Sequence, residues 1–238
     1  MMKNIFAISA LLLSLLLLGE NACAQKNSNP SNFNGTITFS IKTENADELK
    51  FLREMPSNFT VYVQGNKSRS DIKIMGFNMS FISSGDTDKF IILLDIPGMP
   101  CAIVSSISET KTMNNLLNIN IPDVEYEETG DTKNICGYEC KGYRIITSDS
   151  TQKFGPTETL TYITNDIAYG PNIFTIKNPM TQEGIALYNQ FNFNNYKLTM
   201  EATKVKKEKI KDSYFTIPDN YTTYSMTEFQ SLFNSSME

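Results

Sequence analysis

The chain has 238 residues, a net charge of −5, 40% hydrophobic residues and 20% charged residues. These proportions are typical of a globular protein and lack the basic excess of nucleic-acid-binding proteins. The chain contains no histidine, which excludes Ser-His-Asp and Cys-His nucleophiles and histidine-bearing zinc sites, and it has no glycine-rich phosphate loop. We therefore expect a protein that is not an enzyme, uses no cofactor and does not bind nucleic acid.

The first 24 residues predict an export signal. A lysine precedes an apolar stretch over residues 5–18, which is too short and too close to the terminus for a membrane span. The sequence Ala-Cys-Ala at residues 22–24 fits a cleavage site, so we expect a mature chain that begins at Gln25 and works in the periplasm or at the outer membrane. A lipid anchor at Cys23 is the alternative, because a lipoprotein signal also ends in a small residue followed by cysteine.

The remaining sequence predicts one domain of many short strands. Residues 25–34 are rich in Asn and Ser and predict a flexible tether, and residues 35–238 suit a single β-rich domain. Apolar Ile37, Phe39 and Ile41 alternate with polar residues, which is the pattern of a half-buried strand. The same alternation is seen over residues 59–63 and continues over residues 67–74. Further candidate strands are residues 79–81, 90–94, 102–106, 124–128, 140–147, 158–164 and 197–205.

Helical signals are fewer. Residues 45–55 and 110–117 carry short helical stripes, and Ser225 starts the clearest helix with Glu228 three residues later. Together with the strands, these signals predict an α+β fold that is mostly antiparallel β. We expect a curved half-barrel sheet with short helices packed on or plugging its concave face.

Flexible methionine and aromatic side chains are concentrated in the middle of the chain. They suit an adaptable apolar pocket, but also an ordinary core, and a strand buried on both faces would explain the apolar run over residues 91–99 without a ligand. If a pocket exists, we expect these residues to line it: Ile74, Phe77, Met79, Phe81, Ile92, Leu94, Met113 and Leu117.

Three cysteines remain after the predicted signal. Cys136 and Cys140 would lie about 13 Å apart in a straight strand, beyond the reach of a disulfide, and could pair only across a turn or bulge. Cys101 could instead pair with either of them. In an oxidising compartment we expect one structural disulfide and one free thiol; a redox pair or a thiolate metal site is the alternative.

A lysine run stands out in this acidic chain. It comprises Lys204, Lys206, Lys207, Lys209 and Lys211. We expect it to form the exposed end of a hairpin, where it protects an edge strand from aggregation. The alternative is a contact with anionic lipid headgroups; Glu208 and Asp212 dilute the run and favour the first interpretation.

The segment Lys133–Ile145, with its pattern Lys-x-Ile-x-Gly-Tyr-x-Cys-x-x-Tyr-x-Ile, resembles an uncharacterised family of exported Bacteroidetes proteins that carry a domain of unknown function. Residues 33–37 and 213–221 are similar to the same pattern. Members of that family resemble the LolA and LppX lipoprotein-carrier superfamily, in which a curved half-barrel sheet wraps over short helices. The resemblance implies an envelope protein with a lipid-binding concavity and brings no catalytic residues.

Three functional hypotheses follow from the residues and the resemblance. The first is a monomeric cell-envelope protein that holds a lipid or a lipidated protein in its half-barrel. The second is an envelope module that binds proteins through its surface or sheet edge and holds no small ligand. The third is a hydrolase that works through carboxylates, although no spacing of acidic residues identifies a catalytic pair.

Overall fold

The structure, a computed structural model, describes residues 33–45, 55–74, 76–84, 89–106, 124–147, 158–167, 184–193 and 196–235. The predicted signal, most of the tether, the helix predicted at residues 110–117 and most of that at residues 45–55 lie outside this part of the chain, as do Cys23, Met113 and Leu117. The strands are β1 (Asn34–Glu44), β2 (Asn58–Gln64), β3 (Lys67–Ile74), β4 (Phe77–Ser84), β5 (Lys89–Asp95), β6 (Cys101–Ser106), β7 (Val124–Ile135), β8 (Tyr138–Thr147), β9 (Glu158–Thr164), β10 (Ile185–Asn192), β11 (Lys197–Lys207) and β12 (Thr222–Ser225).

All twelve strands belong to one open, curved sheet. Strands β1 to β6 follow one another as antiparallel neighbours, and so do β7 to β11. The two halves meet where β1 pairs with β11, and β12 adds to the far side of β6 in parallel. The prediction of a mostly antiparallel, curved sheet is therefore confirmed, and β7 and β12 are its edge strands.

Helices contribute little to the described residues. A 3-10 turn spans Asp212–Phe215, and one α-helix, α1, spans Met226–Ser235 directly after β12 at the sheet edge. Ser225 and Glu228 cap α1 reciprocally, because the Glu228 carboxylate accepts from the Ser225 backbone N–H at 2.7 Å and the Ser225 hydroxyl accepts from the Glu228 N–H at 3.2 Å. This helix start is as predicted, whereas the plugging of a concave face by helices remains a prediction. No helix in the described ranges is long and apolar enough to cross a membrane.

One face of the sheet, which we call the apolar face, carries the alternating side chains of β1. Ile37 pairs with Val61 of β2, and Phe39 pairs with Phe59, whose ring stacks on it with 4.9 Å between centroids. All four side chains are buried. Since period-two alternation puts these side chains on the same face, the apolar face forms the main hydrophobic core.

The opposite face is covered in part by residues 208–221, which we call the strap. Ile82 of β4 and Leu93 of β5 are buried on this face and form a cluster with Phe215 and Ile217 of the strap. Phe90 of β5 is buried toward the apolar face. Strand β5 is thus buried at Phe90 on one face and at Leu93 on the other, while Ile92 and Leu94 on the apolar face are half-buried.

Two strands depart from the sequence pattern at bulges. The pairing of β9 with β10 shifts register between Ala186 and Tyr188. Strand β10 was not predicted, because this bulge breaks the alternation by which the strand could be recognised. The pairing of β7 with β8 shifts between Glu128 and Thr132, so β7 continues well past its predicted end. Bulges bend a sheet and increase its twist, which suits the curvature seen here.

Candidate functional site

The predicted pocket residues that the structure describes occupy three neighbouring strands. Register pairs Phe77 with Ile74, Met79 with Leu94, and Phe81 with Ile92. In this register Phe77, Met79 and Phe81 lie on the apolar face, with Phe81 in the main core and Met79 and Ile92 packed against that core. The sheet therefore brings these positions together on one side of β3, β4 and β5, as a pocket requires.

The exposure of these side chains differs. Phe81 is only 5% exposed, whereas Phe77, Met79, Ile92 and Leu94 are half-buried. They form a continuous apolar strip beside a closed core. Apolar side chains that share one patch and stay partly open are a feature of binding surfaces, and we call these four residues the open strip.

Two buried polar side chains interrupt the apolar face. Ser70 and Asn189 are each 1% exposed, and neither Ser70 Oγ nor Asn189 Oδ1 has a hydrogen-bond partner among the described residues. Ser70 pairs in register with Val61 on one side and Phe81 on the other. A buried polar atom without a partner costs about 1–3 kcal/mol, so each position carries a polar group that the surrounding described residues do not compensate.

A cavity of about 650 Å³ lies at the end of the sheet where β1 begins and β2 and β11 end. It contains none of the predicted pocket residues. The side chains around it are Phe33, Asn34, Gln64, Asp166, Lys207, Glu208, Lys209 and Ile210. Six of these eight residues are polar or charged, although carbon atoms form the larger part of the cavity surface. Sequence reasoning missed the cavity because its residues come from segments far apart in the chain.

The predicted disulfide is not formed, since Cys101, Cys136 and Cys140 are all free. Cys101 begins β6, and eight strands lie between β6 and β8, the strand of Cys140, so these cysteines are far beyond disulfide reach. Cys136 and Gly137 form the two-residue turn between β7 and β8 with φ angles of 53° and 87°, as a type I′ turn requires. In this turn the Cys136 thiol donates to the Ala202 carbonyl at 3.3 Å instead of meeting Cys140.

The thiols do not have the character of catalytic or metal-binding groups. Burial raises the pKa of Cys101 and Cys136, and it raises the pKa of Cys140 to about 11. Reactive and metal-bound cysteines need a lowered pKa. Within the described ranges no three His, Cys, Asp or Glu side chains come close enough together to hold a metal ion.

Lys133 forms a contact that sequence reasoning did not identify. Its ammonium nitrogen lies 4.2 Å from the ring centroid of Tyr162 and 4.3 Å from that of Tyr188. The two rings meet edge to face at 5.7 Å. Because Lys133 is on β7 and the tyrosines are on β9 and β10, this cation–π contact fastens the edge hairpin to the body of the sheet.

The lysine run does not occupy a hairpin end as expected. Lys204, Lys206 and Lys207 are in the last residues of β11, at the opposite end from the connection to β10, and β11 is an interior strand between β1 and β10. Beyond Glu201, β11 pairs in the described register with β1 alone. The lysines therefore project from one end of the sheet and do not guard its outer edge.

Comparison with known proteins gives a family and distant structural likenesses. A family model described as a domain of unknown function, DUF4412, matches residues 33–221. The structure of PNGF-II in space group C2 is similar with 17% identity and a TM-score of 0.49, covering 85% of this chain and 33% of that one. This chain therefore spans about a third of the length of PNGF-II. No curated protein matches the chain significantly.

Two further structures are more distant. LprF from Mycobacterium bovis has 10% identity and a TM-score of 0.34, with 80% of this chain and 91% of LprF covered. A domain from Vibrio parahaemolyticus, provisionally described as an outer membrane lipoprotein-sorting protein, has 8% identity and a TM-score of 0.24, with coverages of 87% and 95%.

Proposed function

The chain belongs to the DUF4412 family of domains of unknown function, and we propose that it is an exported cell-envelope protein that holds an apolar ligand on the apolar face of its sheet. The ligand class is a lipid or the lipidated part of a protein. The observation that carries this proposal is the open strip, in which Phe77, Met79, Ile92 and Leu94 share one face of adjacent strands and remain half-buried.

The chemistry of the open strip suits an acyl chain. Burial of a methylene group in apolar surroundings is worth about 0.8 kcal/mol. Met79 can adjust to chains of different shape, because its side chain is unbranched and polarizable. Phe81 and Ile72, both buried, provide a packed floor next to the strip. Capture of an acyl chain would therefore cover side chains that are now partly exposed to water.

The unpartnered polar atoms support an amphiphilic rather than a purely hydrocarbon ligand. Ser70 Oγ lies in the register row that also contains Phe81 and Ile92, one strand away from the open strip. A hydroxyl at this place can donate to, or accept from, a polar group at the end of an acyl chain.

Export belongs to the same proposal. The predicted signal over residues 1–24 favours a mature chain in the periplasm or at the outer membrane, with Cys23 as the alternative point of lipid anchoring. In that compartment the partners would be envelope lipids or lipoproteins, and the chain would act as a monomer without a catalytic step.

The competing function, an envelope module that binds proteins through a sheet edge, receives less support from the edge itself. Edge strand β7 carries the exposed Glu125, Glu127 and Glu128, followed by a bulge. Charged side chains and bulges prevent the addition of a further strand. The face of the sheet therefore offers a better binding surface than this edge.

Native mass spectrometry with lipid extraction tests the proposal. The chain would be exported to a bacterial periplasm with its own signal and purified without detergent. We expect a stoichiometric apolar adduct, whose extraction identifies the lipid class. A clean mass for the protein alone, unchanged after lipids are offered, would contradict ligand holding and favour the protein-binding module.

A further inference from the structure

The end of the sheet where β1 begins and β11 ends is rich in lysine, and we call it the basic end. Register places Lys207 opposite Gly35 at the start of β1, and Lys67 opposite both Gln64 and Ser84 at the adjacent strand ends. Lys89 begins β5 at the same end. We define the basic end by Lys67, Lys89, Lys204, Lys206, Lys207, Lys209 and Lys211; Lys141 and Glu139 at the start of β8 lie at the same end of the sheet and carry opposite charges.

The local charge is opposite to that of the whole protein. Between residues 204 and 212 there are five lysines against one glutamate and one aspartate, which gives a net charge of +3 in a chain of net charge −5. Asp166, on the rim of the nearby cavity, is a further acidic group at this end. Asp86 and Asp88, which precede Lys89 in the sequence, lie outside the described residues.

Few of these charges are neutralised by neighbours. Lys206 donates to Glu208 at 2.7 Å, and Thr36 donates to the same carboxylate at 2.8 Å. These hydrogen bonds lower the pKa of Glu208. Lys204, Lys207 and Lys209 are exposed and form no ion pair with another described residue.

Two cations at the opposite end of the sheet form ion pairs. Lys197 pairs with Glu44 at 3.3 Å, and Arg144 pairs with Glu127 at 3.3 Å and with Glu158 at 2.9 Å. Lys42 and Lys73 lie toward this end without an ion pair to a described residue, but they share it with Glu44, Asp95, Glu125, Glu127, Glu128 and Glu158, so among the described residues the excess of positive charge is at the basic end. Such an asymmetry orients a protein in an electric field.

Edge protection does not explain the arrangement. It could apply to Lys204 and Lys206, because the end of β11 pairs on one side only. It does not apply to Lys67 and Lys89, since β3 and β5 each pair on both sides. The lysines share an end of the sheet rather than an edge.

We propose that the basic end docks on an anionic phospholipid surface. Lysine ammonium groups attract lipid phosphates, and each lysine near an anionic membrane strengthens binding about fivefold. Phe33 and Ile210 beside the lysines are buried, so the contact is electrostatic, peripheral and sensitive to salt. This inference goes beyond the proposed function, because it concerns a surface that the open strip does not include.

Vesicle co-sedimentation tests the proposal in a Cys23→Ser background, which removes the alternative lipid anchor. Vesicles of phosphatidylcholine with and without phosphatidylglycerol are compared at low and at high salt. We expect binding only to the vesicles with phosphatidylglycerol and its loss at high salt. The triple variant Lys204→Gln, Lys207→Gln, Lys209→Gln should bind at least about tenfold more weakly.

A matched control removes the same number of positive charges at the other end of the sheet. In the variant Lys42→Gln, Lys73→Gln, Lys197→Gln we expect binding within about twofold of the parent, because these residues lie away from the basic end. Equal losses in the two variants, or no binding of the parent to anionic vesicles, would overturn the docking surface. Ligand capture by the open strip is measured separately by mass spectrometry, so either proposal can fail while the other stands.

Discussion

Arg69 donates from Nη1 to the backbone carbonyl of Tyr214 at 3.0 Å and so joins strand β3 to the strap. The same guanidinium lies 5.7 Å from the centroid of the Tyr214 ring. Its other nitrogens contact Asp71 Oδ1 at 2.6 Å and Ser80 Oγ at 3.0 Å. Arg69 thus anchors the 3-10 turn of the strap to the sheet, and it also forms hydrogen bonds with side chains of β3 and β4.

This arrangement predicts that Arg69→Ala destabilises the protein. The Arg69 side chain is only 19% exposed, and its removal leaves Asp71 and the Tyr214 carbonyl with fewer partners. We expect a loss of about 2 kcal/mol in the free energy of unfolding, measured by urea denaturation. Arg144→Ala is the matched control, because its ion pairs are more exposed and should contribute about 0–1 kcal/mol. Equal losses in the two variants would contradict the anchoring role of Arg69.

The free cysteines predict a thiol count. Unfolding the exported protein without reductant should expose three reactive thiols, and the native protein should expose one, that of Cys136, because Cys101 and Cys140 are buried. Since the pKa of Cys136 is raised, its alkylation should accelerate as the pH rises above 9. Cys136→Ser should abolish the native reaction. A single thiol after unfolding would instead reveal a disulfide.

Local sequence patterns predicted the parts of this fold that depend on neighbours in the chain. The alternation of Ile37, Phe39 and Ile41 correctly indicated β1. The candidate pocket residues from Phe77 to Leu94 fall on one hairpin of the sheet, so their grouping also depended only on local pairing. Neither prediction required knowledge of the strand order.

The features that sequence reasoning missed depend on long-range topology. The expectation that Cys101 could pair with Cys136 or Cys140 took no account of the strand order. The pairing of β1 with β11 inserts eight strands between them, and no local pattern shows that pairing. The cavity near Phe33 and the contacts of Lys133 likewise combine distant segments. Strand β10 was missed for a different reason, since its bulge interrupts the alternation.

Two groups with raised pKa values predict a loss of stability in alkali. Burial raises the pKa of Cys140 from 9.0 to about 11 and that of Tyr196 from 10.0 to about 12. The folded state therefore holds both protons more tightly than the unfolded state, so this stability is fully present below pH 9 and is lost progressively up to pH 12. Urea denaturation at increasing pH should show a falling free energy of unfolding across that window.

Tyr196→Phe identifies the tyrosine's share of this loss. The variant keeps the ring that stacks on Phe193 with 4.2 Å between centroids, but it has no phenol proton. We expect the variant to match the parent protein at pH 8 and to lose less stability between pH 10 and 12. A pH profile identical to that of the parent would show that Tyr196 does not titrate differently in the two states.

Ligand capture by the open strip can be followed with a fluorophore placed in it, because the chain contains no tryptophan. Phe77→Trp puts the sole indole in the strip, where a bound acyl chain would exclude water and a brominated lipid would quench its emission. Phe229→Trp, on α1 at the sheet edge, is the control. We expect saturable quenching in the first variant and little in the second. Since a buried side chain contributes about 2 kcal/mol, adding Leu94→Asn to Phe77→Trp should weaken the lipid about thirtyfold. Equal quenching in the two tryptophan variants would place the lipid elsewhere.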